Sequence, residues 1–123
     1  MRIKTHKDLK VYQISFGVAM EIFELSKSFP KEERYSLTDQ IRRSSRSVSA
    51  NIAEGFRKRR YPKSFIAKLV DAEGEAAETQ NWLEYAFKCK YIQKDIAEKL
   101  IETYENIVGK LVTMENQSDK WRV

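Results

Sequence analysis

Cysteine, histidine, proline and glycine are scarce in this chain: one, one, two and four residues among 123. A single cysteine, Cys89, rules out an intrachain disulfide and any zinc site built from several thiolates. It reads as a buried, unreactive thiol. The sole histidine, His6, lies far in sequence from every acidic cluster. The paired Glu-x-x-His motifs of a di-iron bundle therefore cannot be assembled, and Cys89 has no nearby imidazole to activate it. No glycine-rich phosphate loop is present. Neither catalysis nor a metal or cofactor is expected. Apolar runs are also short, none approaching the roughly 20 residues needed to cross a bilayer. The basic start, Met1 to Lys7, leads into a charged amphipathic segment instead of the apolar core of a secretory leader. A cytoplasmic chain without a membrane partner is the expectation.

Scarcity of breakers leaves room for long helices. With 41% hydrophobic and 33% charged residues, the composition is that of a folded domain, and the length suits one domain over residues 1–123. Leu9, Tyr12, Phe16, Ala19 and Phe23 recur at spacings of three and four. Val11, Ile14, Val18, Ile22 and Leu25 form a second row beside them. Two stripes on one helix imply that it touches both neighbours in a bundle, or that one stripe meets another subunit. Phe29-Pro30 ends this helix, expected at 8–28, because the residue before proline is driven out of the α region. Ser36-Leu37-Thr38-Asp39 has the form of an N-terminal capping box and opens a helix over 36–59, with Leu37, Ile41, Val48, Ile52 and Phe56 as its apolar row. Pro62 suits the first turn of a third helix, 62–89, carrying Phe65, Leu69, Ala72, Ala76, Leu83 and Ala86. Its alanines and Gly74 predict close packing. Ile96, Leu100, Tyr104, Ile107, Leu111 and Met114 define a fourth helix over 93–116, with Ile101, Val108 and Val112 alongside. The tail, 117–123, lacks a continued repeat and is expected to fray unless Trp121 docks. Short connections between four helices predict an all-α, antiparallel, up-down-up-down four-helix bundle.

The net charge of +5 is concentrated in one segment. From Gln40 to Lys63 the basic residues are Arg42, Arg43, Arg46, Arg57, Lys58, Arg59, Arg60 and Lys63, opposed by Glu54 alone. The rest of the chain holds 15 basic and 17 acidic residues. Such a cluster suits phosphate, since arginine makes planar, two-pronged contacts and bound cations release counterions from RNA. Tyr61, Phe56 and Phe65 lie close enough in sequence to stack on bases, although their spacing also suits a core. The competing reading is a solvated turn whose cations pair with Asp71, Glu73, Glu75, Glu78 and Glu84 of the third helix. It makes the domain a protein-interaction or scaffold module with no nucleic-acid role.

One stretch carries more than periodicity. Gln40-Ile41-Arg42-Arg43, followed by Asn51-Ile52-Ala53-Glu54-Gly55, resembles the second-helix signature of the four-helix-bundle proteins encoded in intervening sequences of bacterial 23S ribosomal RNA genes. Asp8 to Tyr12, Phe29 to Glu33 and Ala72 to Glu78 are also similar to that family, so the likeness covers most of the chain. Serine replaces a frequent proline at Ser49, and glutamate a frequent serine at Glu75. The resemblance implies an antiparallel bundle, assembly into a homo-oligomer, most simply a ring-shaped pentamer, and a distant kinship with the accessory variability determinant of diversity-generating retroelements, which works with a reverse transcriptase and RNA. RNA or an RNA-associated protein is the partner it implies. Asn51 and Glu54, three residues apart on one side of the helix, read as hydrogen-bonding groups that tie it to neighbours, and Gly55 as a point of close approach or a bend.

Overall fold

The computed structural model describes residues 3–122; Met1, Arg2 and Val123, the last of the tail expected to fray, lie outside them. The chain forms α1 (Lys10–Ser26), α2 (Leu37–Arg57), α3 (Pro62–Lys88), α4 (Lys94–Asn116) and a single turn, α5 (Ser118–Trp121). Among the described residues there is no strand. Short 3-10 turns, His6–Asp8 and Lys31–Glu33, precede α1 and α2.

Ends of helices are set by local chemistry. Before α1, the Thr5 hydroxyl accepts from the Lys7 amide, while the Asp8 carboxylate accepts from the Lys4 and Thr5 amides at 2.8 and 3.1 Å. Those amides hold the Asp8 carboxyl below its ordinary value. At α2 the expected capping box does not form: the Ser36 hydroxyl makes no cap bond and donates instead to Glu33 Oε1 at 2.7 Å. The 3-10 turn brings the Glu33 carboxylate to this end, where its Oε1 also accepts from the Leu37 amide at 3.4 Å. Pro62 begins α3, where its missing N–H costs nothing. At the far end, the Tyr91 amide donates to the Ala86 carbonyl at 2.8 Å with Lys90 in the left-handed region, φ 67°, a position usually given to glycine.

Each helix returns along the one before. Ser26 meets Arg42 while Phe23 lies under Arg42 and Arg46; Ser44 meets Thr79 while Gly55 meets Phe65 to Leu69. Gln80 of α3 reaches Ile101 and Glu105 of α4, and α4 packs back on α1. The two connections at one end are tied together, with the Tyr91 hydroxyl donating to Glu33 at 2.8 Å and Phe29 packing on Tyr91 at 5.6 Å.

One core runs through the bundle. The rows expected of α2 and α3 are buried throughout, and in α4 Leu100, Tyr104, Ile107, Leu111 and Met114 are buried with Ile96 partly covered. Around α1 both rows contribute: Val11, Val18 and Ile22 of the second and Leu9 and Ala19 of the first are buried, Tyr12, Ile14 and Leu25 are partly covered, and Phe16 is half-exposed. Gly74 does not mediate close packing, since a Cβ there would meet nothing within 4 Å. The tail is not frayed as far as it is described: Ser118–Trp121 turns once more and Trp121 packs against the core. Cys89, expected to be buried, is exposed at the end of α3.

Candidate nucleic-acid interface

The eight cations of the basic segment follow one another in sequence but not in space. An α-helix turns by about 100° per residue, so neighbours face different elements. Arg43 points at α3 and is neutralised there by Glu75 at 3.0 Å and Glu78 at 2.6 Å. Those carboxylates raise its pKa further. At Glu78 burial pushes upward, but Arg43 and the Trp82 indole N–H, donating at 3.1 Å, bring the carboxyl below its ordinary value. Arg42, one residue back, points at α1: its Nε donates to the Ser26 hydroxyl at 2.7 Å and its guanidinium lies 4.8 Å from the Phe23 ring centre. Arg46 covers the same ring at 5.5 Å.

The rest of the cluster sits at the other end of α2, about 22 Å along the axis from Arg42 at 1.5 Å per residue. Three short-range amide bonds, Lys58 to Gly55, Arg59 to Phe56 and Tyr61 to Lys58, fold the connection tightly. Arg59 lies flat on Phe56, 3.6 Å from the ring centre, and burial first, then the Arg57 charge, lowers its pKa. Its Nε has no hydrogen-bond partner among the described residues. Arg57, Lys58, Arg60 and Lys63 are exposed, and none joins an ion pair among the described residues. Of the three nearby aromatics, Phe56 and Phe65 are core residues. Tyr61, 61% exposed, is the one free to stack on a base.

Among the described residues the competing pairing with α3 is thus realised at Arg43 alone. Glu75, the residue that departs from the resembling family's frequent serine, is one of its two partners. Glu73 turns to α4 and meets Glu115 instead.

The pentapeptide at the end of α2 is structural in a way that differs from expectation. Asn51 ties to its own helix, its amide donating to the Ser47 carbonyl at 2.9 Å and hydroxyl at 3.2 Å. Among the described residues it makes no bond to a neighbouring helix. Glu54 reaches across to Lys68 of α3 at 3.4 Å. Ile52 is fully buried and Ala53 partly so. Gly55 is the close approach: a Cβ there would stand 3.2 Å from Lys68 Cβ and 3.4 Å from Leu69 Cδ2.

Three further cations escaped the sequence reading: Lys27, Lys31 and Arg34, which the α1–α2 connection brings beside Arg42. Their signal was available in principle, since antiparallel packing of the first two helices places the start of one against the end of the other. Among the described residues no cluster of His, Cys, Asp and Glu could hold a metal ion, and no helix is long and apolar enough to cross a membrane.

Fold and surface together define a helical bundle whose cations gather at both ends of its second helix. Residues 7–113 match the family model described as 23S rRNA-intervening sequence protein, and the chain belongs to that family. Among solved structures it is similar to a protein of unknown function from the S23 ribosomal protein family of Bacteroides thetaiotaomicron VPI-5482. Identity is 30%, coverage 86% of this chain and 95% of that one, and the TM-score 0.76. No curated protein matches the chain.

Proposed function

We propose that this protein is a non-catalytic, self-associating helical bundle of the cytoplasm that binds RNA by its phosphate backbone. The observation that carries the reading is the α2–α3 turn, where Arg57, Lys58, Arg60 and Lys63 stand exposed, without carboxylate partners among the described residues, beside an exposed Tyr61. Unpaired arginine and lysine are what counterion release requires, and one exposed ring adds sequence-tolerant stacking. Arg42 and Arg46 add a second group at the other end of α2, whereas Arg43 and Arg59 contribute less because each is already engaged. The site has no regular element that would read base edges, so recognition is of backbone and shape.

Self-association is supported by Phe16 and Met20, four residues apart on one side of α1 and 51% and 48% exposed. In a ring, most simply a pentamer, the turn would recur once per subunit and modest contacts would add by multivalency. The same exposed apolar side chains favour the second reading, a scaffold that binds proteins and uses its charge for solubility. Filter binding of structured RNA at several salt concentrations separates the two. The wild type should bind with a steep log-linear salt dependence, and changing Arg57, Lys58, Arg59 and Arg60 together to glutamine should weaken binding and flatten the slope. Equal binding and slope for both proteins would remove this site; no binding by either would leave the scaffold.

A further inference from the structure

We propose that the concavity between the end of α1, the Lys31–Glu33 turn and the start of α2 is a binding site for a phosphate group. It is an open depression of about 250 Å³, and Lys27, Lys31, Arg34 and Arg42 line it together with Ser26 and Thr38. Phe29 and Pro30 complete the wall, and no carboxylate does.

Arg42 is the centre of the site. Its Nε is held by Ser26 at 2.7 Å, the Ser26 hydroxyl being itself fixed by donation to the Phe23 carbonyl at 2.8 Å, and its plane rests on Phe23. The guanidinium is therefore oriented in advance, while its two terminal nitrogens have no hydrogen-bond partner among the described residues. A planar fork with two free N–H groups fits two phosphate oxygens, and an arm already fixed loses little freedom on binding.

Nearby acids do not neutralise the site. Glu33 is committed to Ser36 and Tyr91. Glu24 meets Lys27 at 3.2 Å, but both side chains are more than half exposed and such a pair is weak. The C-terminus of α1 and the N-terminus of α2 both border the concavity, and their partial charges of about half a unit, negative and positive, largely cancel. Lys31, Arg34 and Arg42 remain without a carboxylate partner among the described residues, and Lys27 is held only in that weak pair. The contrast with Arg43, one residue along and saturated by two carboxylates, shows why this group has capacity to spare.

The site stands about 22 Å along α2 from Arg57 and does not depend on the RNA reading of that turn. Phosphate could reach it as a backbone phosphodiester or as a terminal or free phosphate. Equilibrium dialysis of the full chain against labelled orthophosphate, at constant ionic strength set with chloride, tests it. Saturable binding is expected for the wild type and for the protein with Arg57, Lys58, Arg59 and Arg60 changed to glutamine. Arg42→Gln should weaken binding by about tenfold or more, the loss of one charge-assisted contact pair. Lys31→Gln with Arg34→Gln, both at exposed positions that leave the helices intact, should weaken it as well. Absence of saturable binding, or wild-type binding by both variants, would overturn the proposal. Short RNAs with a 5′-phosphate or a 5′-hydroxyl then assign the source. A preference for the former that disappears in Arg42→Gln supports a terminal phosphate, and equal binding that Arg42→Gln weakens supports the backbone. Loss of RNA binding with retained orthophosphate binding would sink the RNA reading and leave this site standing.

Discussion

The α2–α3 seam and the α1–α4 seam close the same bundle by different means. Between α2 and α3, small and polar side chains bring the backbones together. Thr79 donates to Ser44 at 2.8 Å inside the core, Arg43 spans to Glu75 and Glu78, Glu54 meets Lys68, and Gly55 lies against Leu69. Between α1 and α4 no hydrogen bond or ion pair forms among the described residues, and the buried Tyr104 hydroxyl lacks a partner in hydrogen-bonding geometry. Burial pushes that phenol well above its ordinary value, with the Thr79 hydroxyl opposing the shift. Large apolar side chains stand exposed on helices of both seams, Phe16 and Met20 on α1, Val70 and Tyr85 on α3 and Val112 on α4. The α2–α3 seam thus supplies specific polar geometry, whereas the α1–α4 seam joins by apolar burial without directional bonds.

The largest way to break the first seam is at its closest point. Gly55→Leu must push Lys68 and Leu69 aside, and should destabilise the protein by about 1–3 kcal/mol in urea unfolding, the usual cost of overpacking. Gly74→Ala is the internal control. It sits in the next helix with nothing within 4 Å of a new Cβ, so it should stabilise by about 0.5–1 kcal/mol through helix propensity alone. If both glycines behaved alike, the close approach at Gly55 would not be what holds α2 to α3.

A third seam sharpens the comparison through pH. Glu73 of α3 faces Glu115 of α4, and one oxygen of each is buried without a partner. Burial, then the hydrogen bond and charge of Glu73, pushes the Glu115 carboxyl up to about 8 from 4.5. The folded protein thus keeps a proton that the unfolded chain releases, so stability must fall as pH rises through this interval and level off above it. Asp8, Glu33 and Glu78 shift the opposite way and act below it. The pair borders solvent and can relax into it, so the loss should be on the order of 1 kcal/mol, far less than the full shift implies. Urea midpoints measured near both ends of the interval should differ in the wild type and converge in Glu115→Gln. A wild type indifferent to pH here would mean that the two carboxyls do not share a proton.

Much of this architecture is legible because core burial imposes a spacing of three and four that survives in α2, α3 and α4, and because Phe29-Pro30 and Pro62 punctuate it. What sequence hides is mostly azimuth. Arg42 and Arg43 are adjacent letters that face α1 and α3, so a run of cations that reads as one patch becomes a free group, a neutralised residue and a distant turn. Gly55 and Gly74 are the same residue type, and only their position on the helix decides which of them touches a neighbour. Capping failed for another reason. Ser36 has the expected form, but the preceding 3-10 turn delivers Glu33, a charged acceptor that competes better for the serine hydroxyl. Trp121 lay beyond the last periodic residue and needed a tertiary contact to order it.

The smallest expected effect concerns Arg43, the cation that joins the two seams' contrast to the question of charge. Its two carboxylate partners make it look important for stability, yet its side chain is 48% exposed and those of Glu75 and Glu78 are 24% and 34% exposed. Water screens such a network, so Arg43→Gln should cost no more than about 1 kcal/mol in urea unfolding, the upper range for exposed pairs. Glu78 would keep the Trp82 indole as a donor, which limits the loss further. The substitution should also leave RNA binding and its salt slope close to wild type, because a cation already paired inside the protein has little charge to offer a phosphate. Filter binding beside the Arg57–Arg60 variant checks this directly. A marked loss of RNA affinity in Arg43→Gln would show that the ion pairs open on binding, and that the α2–α3 seam is itself part of the contact surface.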